Sequence, residues 1–197
     1  MRTIEKTITL YKFDELLPHI QENILESRIN NELEFYIDTQ LYVDMVNEAT
    51  EVLKTHFPEA QYSEVYYDLS YSQGSGSMIA FKISLPDLNK KYNVIPQDYK
   101  QTDDSYTMED IMIDIYHNNN FYYHEQSFGI DWSATCDYDL DIMIDELVAK
   151  ARKDIVRMNQ ELTTRGYNLI EDKELFKELA LNYLNELEFT EDGEIYV

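Results

Sequence analysis

The chain of 197 residues has few of the features that mark secreted, zinc-binding or membrane proteins. Its single cysteine, Cys136, excludes an internal disulfide and a cysteine-based zinc site, and is typical of a reducing compartment. No apolar run approaches the ~20 residues that a membrane helix needs. The N-terminus carries Glu5 early and lacks a continuous apolar core, so we expect no signal peptide and a cytoplasmic protein.

Basic residues are also scarce, since 16 Lys plus Arg stand against 39 Asp plus Glu and give a formal charge of −23. Nucleic acids and anionic membranes are bound through Lys and Arg, so we expect the chain to bind neither directly. A hydrophobic fraction of 44% with 13% aromatic residues indicates a folded chain rather than a disordered acidic tail. The expected macromolecular partner is therefore a basic protein.

Hydrophobic periodicity predicts an α+β fold with one domain over residues 1–197. We expect an antiparallel sheet of four to five strands backed by four to five helices. The predicted strands cover residues 3–13, 64–72, 77–85 and 121–132. The second and third form a hairpin across Gly74-Ser75-Gly76, and Asp192-Gly193 predicts a short terminal hairpin.

Apolar residues at three- and four-residue steps predict the helices, which cover residues 18–29, 36–56, 107–117, 139–165 and 171–187. Pro18 fits a first helical turn, and Gly166 fits the end of the longest helix. Residues 86–106, which contain two prolines and no period, are predicted to form a loop.

The pentapeptide Asp-Ile-Met-Ile-Asp occurs twice, at residues 110–114 and 141–145. On a helix, each copy would place two aspartates on one stripe, where like charges cost a few tenths of a kcal/mol. From Gln101 to Ala149 there are twelve Asp or Glu residues and no Lys or Arg. Because ordinary surfaces mix charge signs to limit self-repulsion, this stretch favours a surface that displays negative charge.

We expect acids of this stretch, with neighbouring tyrosines, to bind the basic partner. Carboxylates pair with arginine, and tyrosine adds cation–π contact at a low cost in side-chain entropy. The candidate partner-binding residues are Asp103, Asp104, Glu109, Asp110, Asp114, Asp137, Asp139, Asp141, Asp145, Glu146, Tyr122 and Tyr138.

Catalytic and metal-binding signatures are weak in this sequence. Asp137, Asp139 and Asp141 alternate, but the sixth place of a calcium loop lacks glycine and the twelfth lacks glutamate. A nucleophile at Cys136 would need His124 and an acid such as Asp131 beside it, and a buried cysteine is the more common case. We therefore expect no cofactor, no metal and no catalytic residue. A metal-dependent enzyme that uses the acid cluster 137–145 remains an alternative.

Residues 7–16, Thr-Ile-Thr-Leu-Tyr-Lys-Phe-Asp-Glu-Leu, are followed by a predicted helix. Together with the hairpin at 64–85 and the ending LEFTEDGEIYV, they resemble a loose group of small acidic phage and prophage proteins. Members of this group are often labelled antitoxins of a toxin–antitoxin stability system. The resemblance implies a protein of a bacterial mobile element, acting in the host cytoplasm by binding another protein. In composition the chain also resembles the DNA-mimic inhibitors of restriction and CRISPR nucleases.

Two binding functions follow from these observations. The first is a stoichiometric inhibitor whose acids at helical spacing imitate a row of phosphates and occupy a basic nucleic-acid channel. The second is an antitoxin-like protein that neutralises a toxin mainly through apolar and tyrosine contacts. The apolar line of the predicted helix 139–165 also allows a homodimer.

Overall fold

Four antiparallel strands form one sheet in the order β1-β2-β3-β4. They are β1 (Gln61–Asp68), β2 (Gly76–Ser84), β3 (Met112–His117) and β4 (Phe128–Trp132). The computed structural model describes residues 7–100, 107–118, 122–133, 135 and 137–196. β1 pairs with β2 across a turn in which Gly74 and Gly76 have φ of 99° and 149°, so the predicted hairpin is confirmed. The strand predicted at 121–132 is confirmed over 128–132.

Five α-helices occur in the described residues, and the predicted α+β class is confirmed. They are α1 (Pro18–Thr39), α2 (Leu41–His56), α3 (Leu85–Tyr92), α4 (Tyr138–Ile170) and α5 (Lys173–Leu184). The sequence prediction ended the first helix too early. Helix α1 continues to Thr39, and only Gln40, with φ of −117°, separates it from α2.

The chain forms two compact units, and the first comprises residues 1–42 and 169–197. In this unit α1 packs against α5, beside a core of Phe13, Leu16, Leu184 and Phe189. The strand predicted at 3–13 is wrong over its described part, because only Tyr11 pairs there, with Phe189. The terminal hairpin is confirmed by the pairing of Phe189 with Ile195.

The second unit, residues 43–168, contains the sheet. One side of the sheet carries the fully buried Phe81, Ile113 and Ile115, and we call it the inner face. Helix α4 contributes a buried apolar row to this unit, made of Leu140, Ile144, Leu147, Ala151, Ile155, Met158 and Leu162. The one domain predicted from the sequence stays a prediction.

A buried polar network joins α4 to β2. β2 pairs with β3 over Phe81–Ser84 only. Before Phe81, the backbone N–H of Ile79 donates to Asn159 Oδ1 at 3.1 Å, and that of Ser77 donates to Thr163 Oγ1 at 2.9 Å. Asn159 Nδ2 donates in turn to the carbonyl of Glu125 at 3.1 Å. Helix side chains thus satisfy strand groups that would otherwise be buried without partners.

The first copy of the repeated pentapeptide is not helical, so the helix predicted at 107–117 is wrong. Met108–Asp110 form a single 3-10 turn, and β3 begins at Met112. Ile111, Ile113 and Ile115 are all buried, whereas Asp114 turns outward, which is the two-residue period of a strand. The same five residues therefore form a turn and strand in one place and a helix in the other.

A helix also replaces the first part of the loop predicted at 86–106. Ser84 caps α3 by accepting a hydrogen bond from the backbone N–H of Asp87, and Pro86 occupies the first turn. Asn93, with φ of 50°, ends the helix in the left-handed conformation.

Gly166 does not end the long helix, because α4 continues to Ile170. An added Cβ at Gly166 would lie 3.0 Å from Met45 Sδ and 3.1 Å from Leu69 Cδ1. Gly166 therefore leaves room beside α4 for the side chains of Met45 and Leu69. This packing outweighs the poor helix propensity of glycine.

Candidate partner-binding surface

The first turns of α4 present an exposed face that combines acids with apolar side chains. At 100° per residue, one side of the helix carries the α4 face, which we define as Tyr138, Asp139, Ile142, Asp145 and Glu146. All five are exposed, and Tyr138 at 78% is the most exposed large hydrophobic residue described. The opposite side of the same turns is buried through Leu140 and Ile144. The second pentapeptide is therefore helical, as predicted.

Two of the predicted acids hold the start of α4 instead of facing solvent. Asp137, only 3% exposed, caps the helix by accepting a hydrogen bond from the N–H of Leu140 at 3.2 Å. Asp141 Oδ1 accepts from both the N–H and the hydroxyl of Thr135. Asp137 is therefore not part of an exposed surface, and Asp141 is only partly so. Their bonds fix the chain that leads into the α4 face.

Charge on the α4 face is only partly neutralised by the chain itself. Glu146 forms an ion pair with Lys150 at 2.8 Å, one helical turn further on. Within the described residues, no ion pair is found for Asp139 or Asp145. Asp139 lies in the first turn of α4, where the helix dipole stabilises a negative charge without removing it from solvent.

The acids of the first pentapeptide are separated from one another by the fold. Asp110 Oδ2 accepts hydrogen bonds from the N–H and the hydroxyl of Thr107, and these bonds lower the pKa of Asp110. Asp114 lies on β3 and forms an ion pair with Lys82 of β2 at 3.2 Å. The expected helical stripe of Asp110 and Asp114 is therefore wrong. Glu109 is exposed in the 3-10 turn that precedes β3.

Two exposed tyrosine rings rest on glycines. An added Cβ at Gly74 would be 2.0 Å from Cδ1 of Tyr122, and one at Gly129 would be 2.4 Å from Cζ of Tyr116. Tyr122 is 49% exposed and Tyr116 is 43% exposed. A ring held against a glycine loses little entropy when a partner binds, which suits it to an interface. Tyr122 was among the predicted residues, and Tyr116 was not.

The structure thus brings together four of the predicted residues, Tyr138, Asp139, Asp145 and Glu146. Of the other described ones, Asp137 and Asp141 hold the start of α4, Glu109 and Asp110 lie in the turn before β3, Asp114 lies in the sheet, and Tyr122 lies between β3 and β4. Asp103 and Asp104 lie outside the described residues. Sequence reasoning missed Ile142, although its exclusion from the apolar row of the long helix was a usable signal. It also missed Asp131 of β4, which lies directly opposite Asp114 of β3 in the sheet.

A network of charged side chains links α2, α3 and α4 within the second unit. Arg165 bonds both Glu48 and Glu161, and Glu161 contacts His56 Nε2 at 3.0 Å. The bond with His56 and the guanidinium of Arg165 together lower the pKa of Glu161. Nearby, Lys91 pairs with Asp154 at 3.0 Å. Each of these groups is satisfied by another, so the network stabilises the fold.

In the described part of the chain, no group of three or more His, Cys, Asp or Glu side chains is arranged to hold a metal ion. Likewise, none of the helices described above is both long and apolar enough to cross a membrane. Comparison of the chain with protein-family models, with characterised proteins and with solved structures gives no significant match.

Proposed function

We propose that this protein is an inhibitor, of phage or prophage type, that binds a basic nucleic-acid-binding protein of host defence, such as a CRISPR or restriction nuclease. The α4 face would occupy a site that otherwise holds nucleic acid. The proposal combines the formal charge of −23 with an exposed surface on which acids surround apolar side chains.

The observation that carries the proposal is the composition of the α4 face. Asp139 and Asp145 offer carboxylates for arginine or lysine, while Tyr138 and Ile142 offer apolar area between them. Large aromatic residues are enriched at protein interfaces, where a polar rim surrounds the apolar centre. Acids give fast association with a basic site, and the apolar groups slow dissociation.

An antitoxin-like protein is the second candidate, and the exposure of Tyr138 and Ile142 favours it. In that case the apolar groups would supply most of the affinity, and charge would mainly accelerate association. The two candidates differ in which variants matter. Loss of binding after Ile142→Ala with little effect of charge removal would favour the antitoxin-like protein.

The proposal is tested by nucleic-acid cleavage assays with a panel of purified CRISPR and restriction nucleases, at an equimolar ratio of the protein and at low and high salt. We expect at least one nuclease to be inhibited at low salt, with inhibition weakening as salt screens the contact. Added nucleic acid should compete with the protein for that nuclease. A nuclease that is inhibited by the protein and still binds its nucleic acid fully would contradict the proposed mechanism.

A further inference from the structure

Strand β4 is an edge of the sheet, and its outward hydrogen-bonding direction follows from its pairing with β3. The N–H of Asn118 donates to the carbonyl of Ser127 at 3.2 Å, which makes these two residues a hydrogen-bonded pair. Such pairs recur at every second residue of an antiparallel ladder. Tyr116 with Gly129, and Asp114 with Asp131, are therefore the next hydrogen-bonded pairs.

The intervening residues of β4 turn their backbone groups away from β3. These are Phe128, Ile130 and Trp132, which lie opposite His117, Ile115 and Ile113. The N–H of Trp132 donates to Asp131 Oδ1 at 2.9 Å, in agreement with this direction. No strand among the described residues pairs with the far side of β4. The N–H and carbonyl of Ile130 therefore point to an edge without a neighbouring strand.

Side chains beside this edge differ between the two faces of the sheet. Ile130 and Trp132 share the inner face with Ile113 and are only partly buried. The outer face carries the exposed Asp131. A strand added to β4 would complete the cover of Ile130 and Trp132 with its own apolar residues, and would place its alternate residues next to Asp131.

The ring of Tyr116 extends this acidic outer face towards the edge. Gly129 has an ordinary backbone conformation, so its role is to provide space, and the Tyr116 hydroxyl would lie 2.6 Å from an added Cβ there. The ring consequently lies over Gly129 on the outer face, and Asp131 is the next residue of β4 on that face. A carboxylate beside an exposed tyrosine ring is suited to an arginine or lysine side chain.

We propose that the free edge of β4 accepts an extended segment of the basic partner by strand addition, with alternating apolar and cationic residues in that segment. This inference rests on the proposed function, because it takes its basic partner from there. Main-chain bonds to Ile130 would supply register, and contacts with Asp131 and Tyr116 would supply charge selectivity.

The experiment uses the full chain and a synthetic peptide in which arginine and valine alternate, with a glutamate–valine peptide as the charge control. Hydrogen exchange followed by NMR reports on the Ile130 amide. We expect the arginine peptide to slow exchange at Ile130 by at least about tenfold and the glutamate peptide to leave it unchanged. Unchanged exchange at saturating arginine peptide would overturn the proposal.

A pair of variants at Ile130 tests the main-chain contact. Ile130→Pro removes an N–H that β3 does not use, whereas Ile130→Val keeps it and changes the side chain little. Affinity for the arginine peptide should fall about tenfold in the first variant, because one main-chain hydrogen bond is lost and a carbonyl of the peptide is left without a partner, and should stay within about twofold in the second. Equal affinity of the two variants would refute strand addition, and exchange at wild-type Ile130 decides the matter if Ile130→Pro does not fold.

Two other outcomes are informative. Protection of Ile130 that rises with protein concentration in the absence of peptide would assign the edge to a second copy of the chain and overturn the basic segment as its occupant. If Ile130→Pro inhibits a nuclease as well as wild type does, strand addition at β4 is refuted and the proposed function stands. Loss of inhibition in Ile130→Pro, with full inhibition by charge-reversed α4 variants, would instead refute the proposed site on α4.

Discussion

At the residue scale, Asn159 combines full burial with four hydrogen-bond partners within the second unit. Its amide accepts from Ile79 and donates to Glu125, and its backbone carbonyl accepts from Ser77 and Thr163 hydroxyls. A polar side chain at this depth stabilises the fold only while all of its partners are present.

Asn159→Ala should therefore lower the free energy of unfolding by about 2–3 kcal/mol, because it leaves the buried Ile79 N–H without a partner and removes the bond to the partly buried Glu125 carbonyl. Urea unfolding followed by circular dichroism measures the change. The adjacent and exposed Gln160→Ala is the control, and we expect it to stay within about 0.5 kcal/mol of wild type. Similar losses in both variants would mean that the buried amide has no special role.

Glu161 gives a prediction for pH dependence. Its folded pKa lies below the ordinary value because His56 and Arg165 bond the carboxylate. The resulting stabilisation is present above the unfolded pKa of Glu and is lost as pH falls through the lowered folded pKa. Glu161→Gln should lower the free energy of unfolding by about 0.5–1 kcal/mol near pH 7, since the pair is partly exposed.

The same comparison at acidic pH is the check. Urea unfolding of wild type and Glu161→Gln should give a difference that shrinks towards zero below the folded pKa of Glu161. A difference that stays constant from pH 7 to acid would show that the ionised carboxylate is not the stabilising group.

At the element scale, the repeated pentapeptide shows how far sequence alone determines structure. Both copies have the same five residues, yet one precedes and enters β3 while the other begins α4. The first isoleucine is buried in the strand copy, as Ile111, and 49% exposed in the helical copy, as Ile142. The contacts that bury Ile111 come from other parts of the sheet. The five residues alone therefore could not show whether a strand or a helix forms.

These two isoleucines form a matched pair of tests. Ile111→Ala should lower the free energy of unfolding by about 2–4 kcal/mol, because it leaves a cavity in a buried site. Ile142→Ala should change it by less than about 0.5 kcal/mol, because the side chain is already half exposed. Thermal and urea unfolding of both variants measure the contrast. A large loss in Ile142→Ala would show that the α4 face is covered in solution and is not free to bind.

Elements with strong local signals were predictable, and those fixed by distant contacts were not. Gly74-Ser75-Gly76 between two strand-like runs gave the hairpin, and the long apolar row gave α4. Gly166 was misread as a helix end because its function is to make space for Met45 and Leu69, which are far away in sequence. For the candidate surface, the run of acids without Lys or Arg indicated the region. Only the burial in the folded chain separated the capping Asp137 from the exposed Asp139 and Asp145.

At the scale of the whole molecule, a charge of −23 implies repulsion among surface acids. Salt screens such repulsion, so the melting temperature should rise by about 2–4 °C between low and moderate salt, the shift that about 1 kcal/mol gives in a protein of this size. Calorimetry over a series of sodium chloride concentrations measures it. A melting temperature that falls with salt would mean that the chain's own ion pairs outweigh its excess acid.

The most direct test of the account compares two charge reversals of equal size. Asp139→Lys with Asp145→Lys changes the α4 face, and Glu22→Lys with Glu26→Lys changes exposed acids near the start of α1 in the other unit. All four acids are exposed helical residues for which no ion pair is found in the described part of the chain, so the cost to stability should be similar. In cleavage assays with an inhibited nuclease, we predict that the α4 variant loses inhibition by about a hundredfold while the α1 variant stays within a few fold of wild type. Equal loss in both variants, or full inhibition by the α4 variant, would contradict the account.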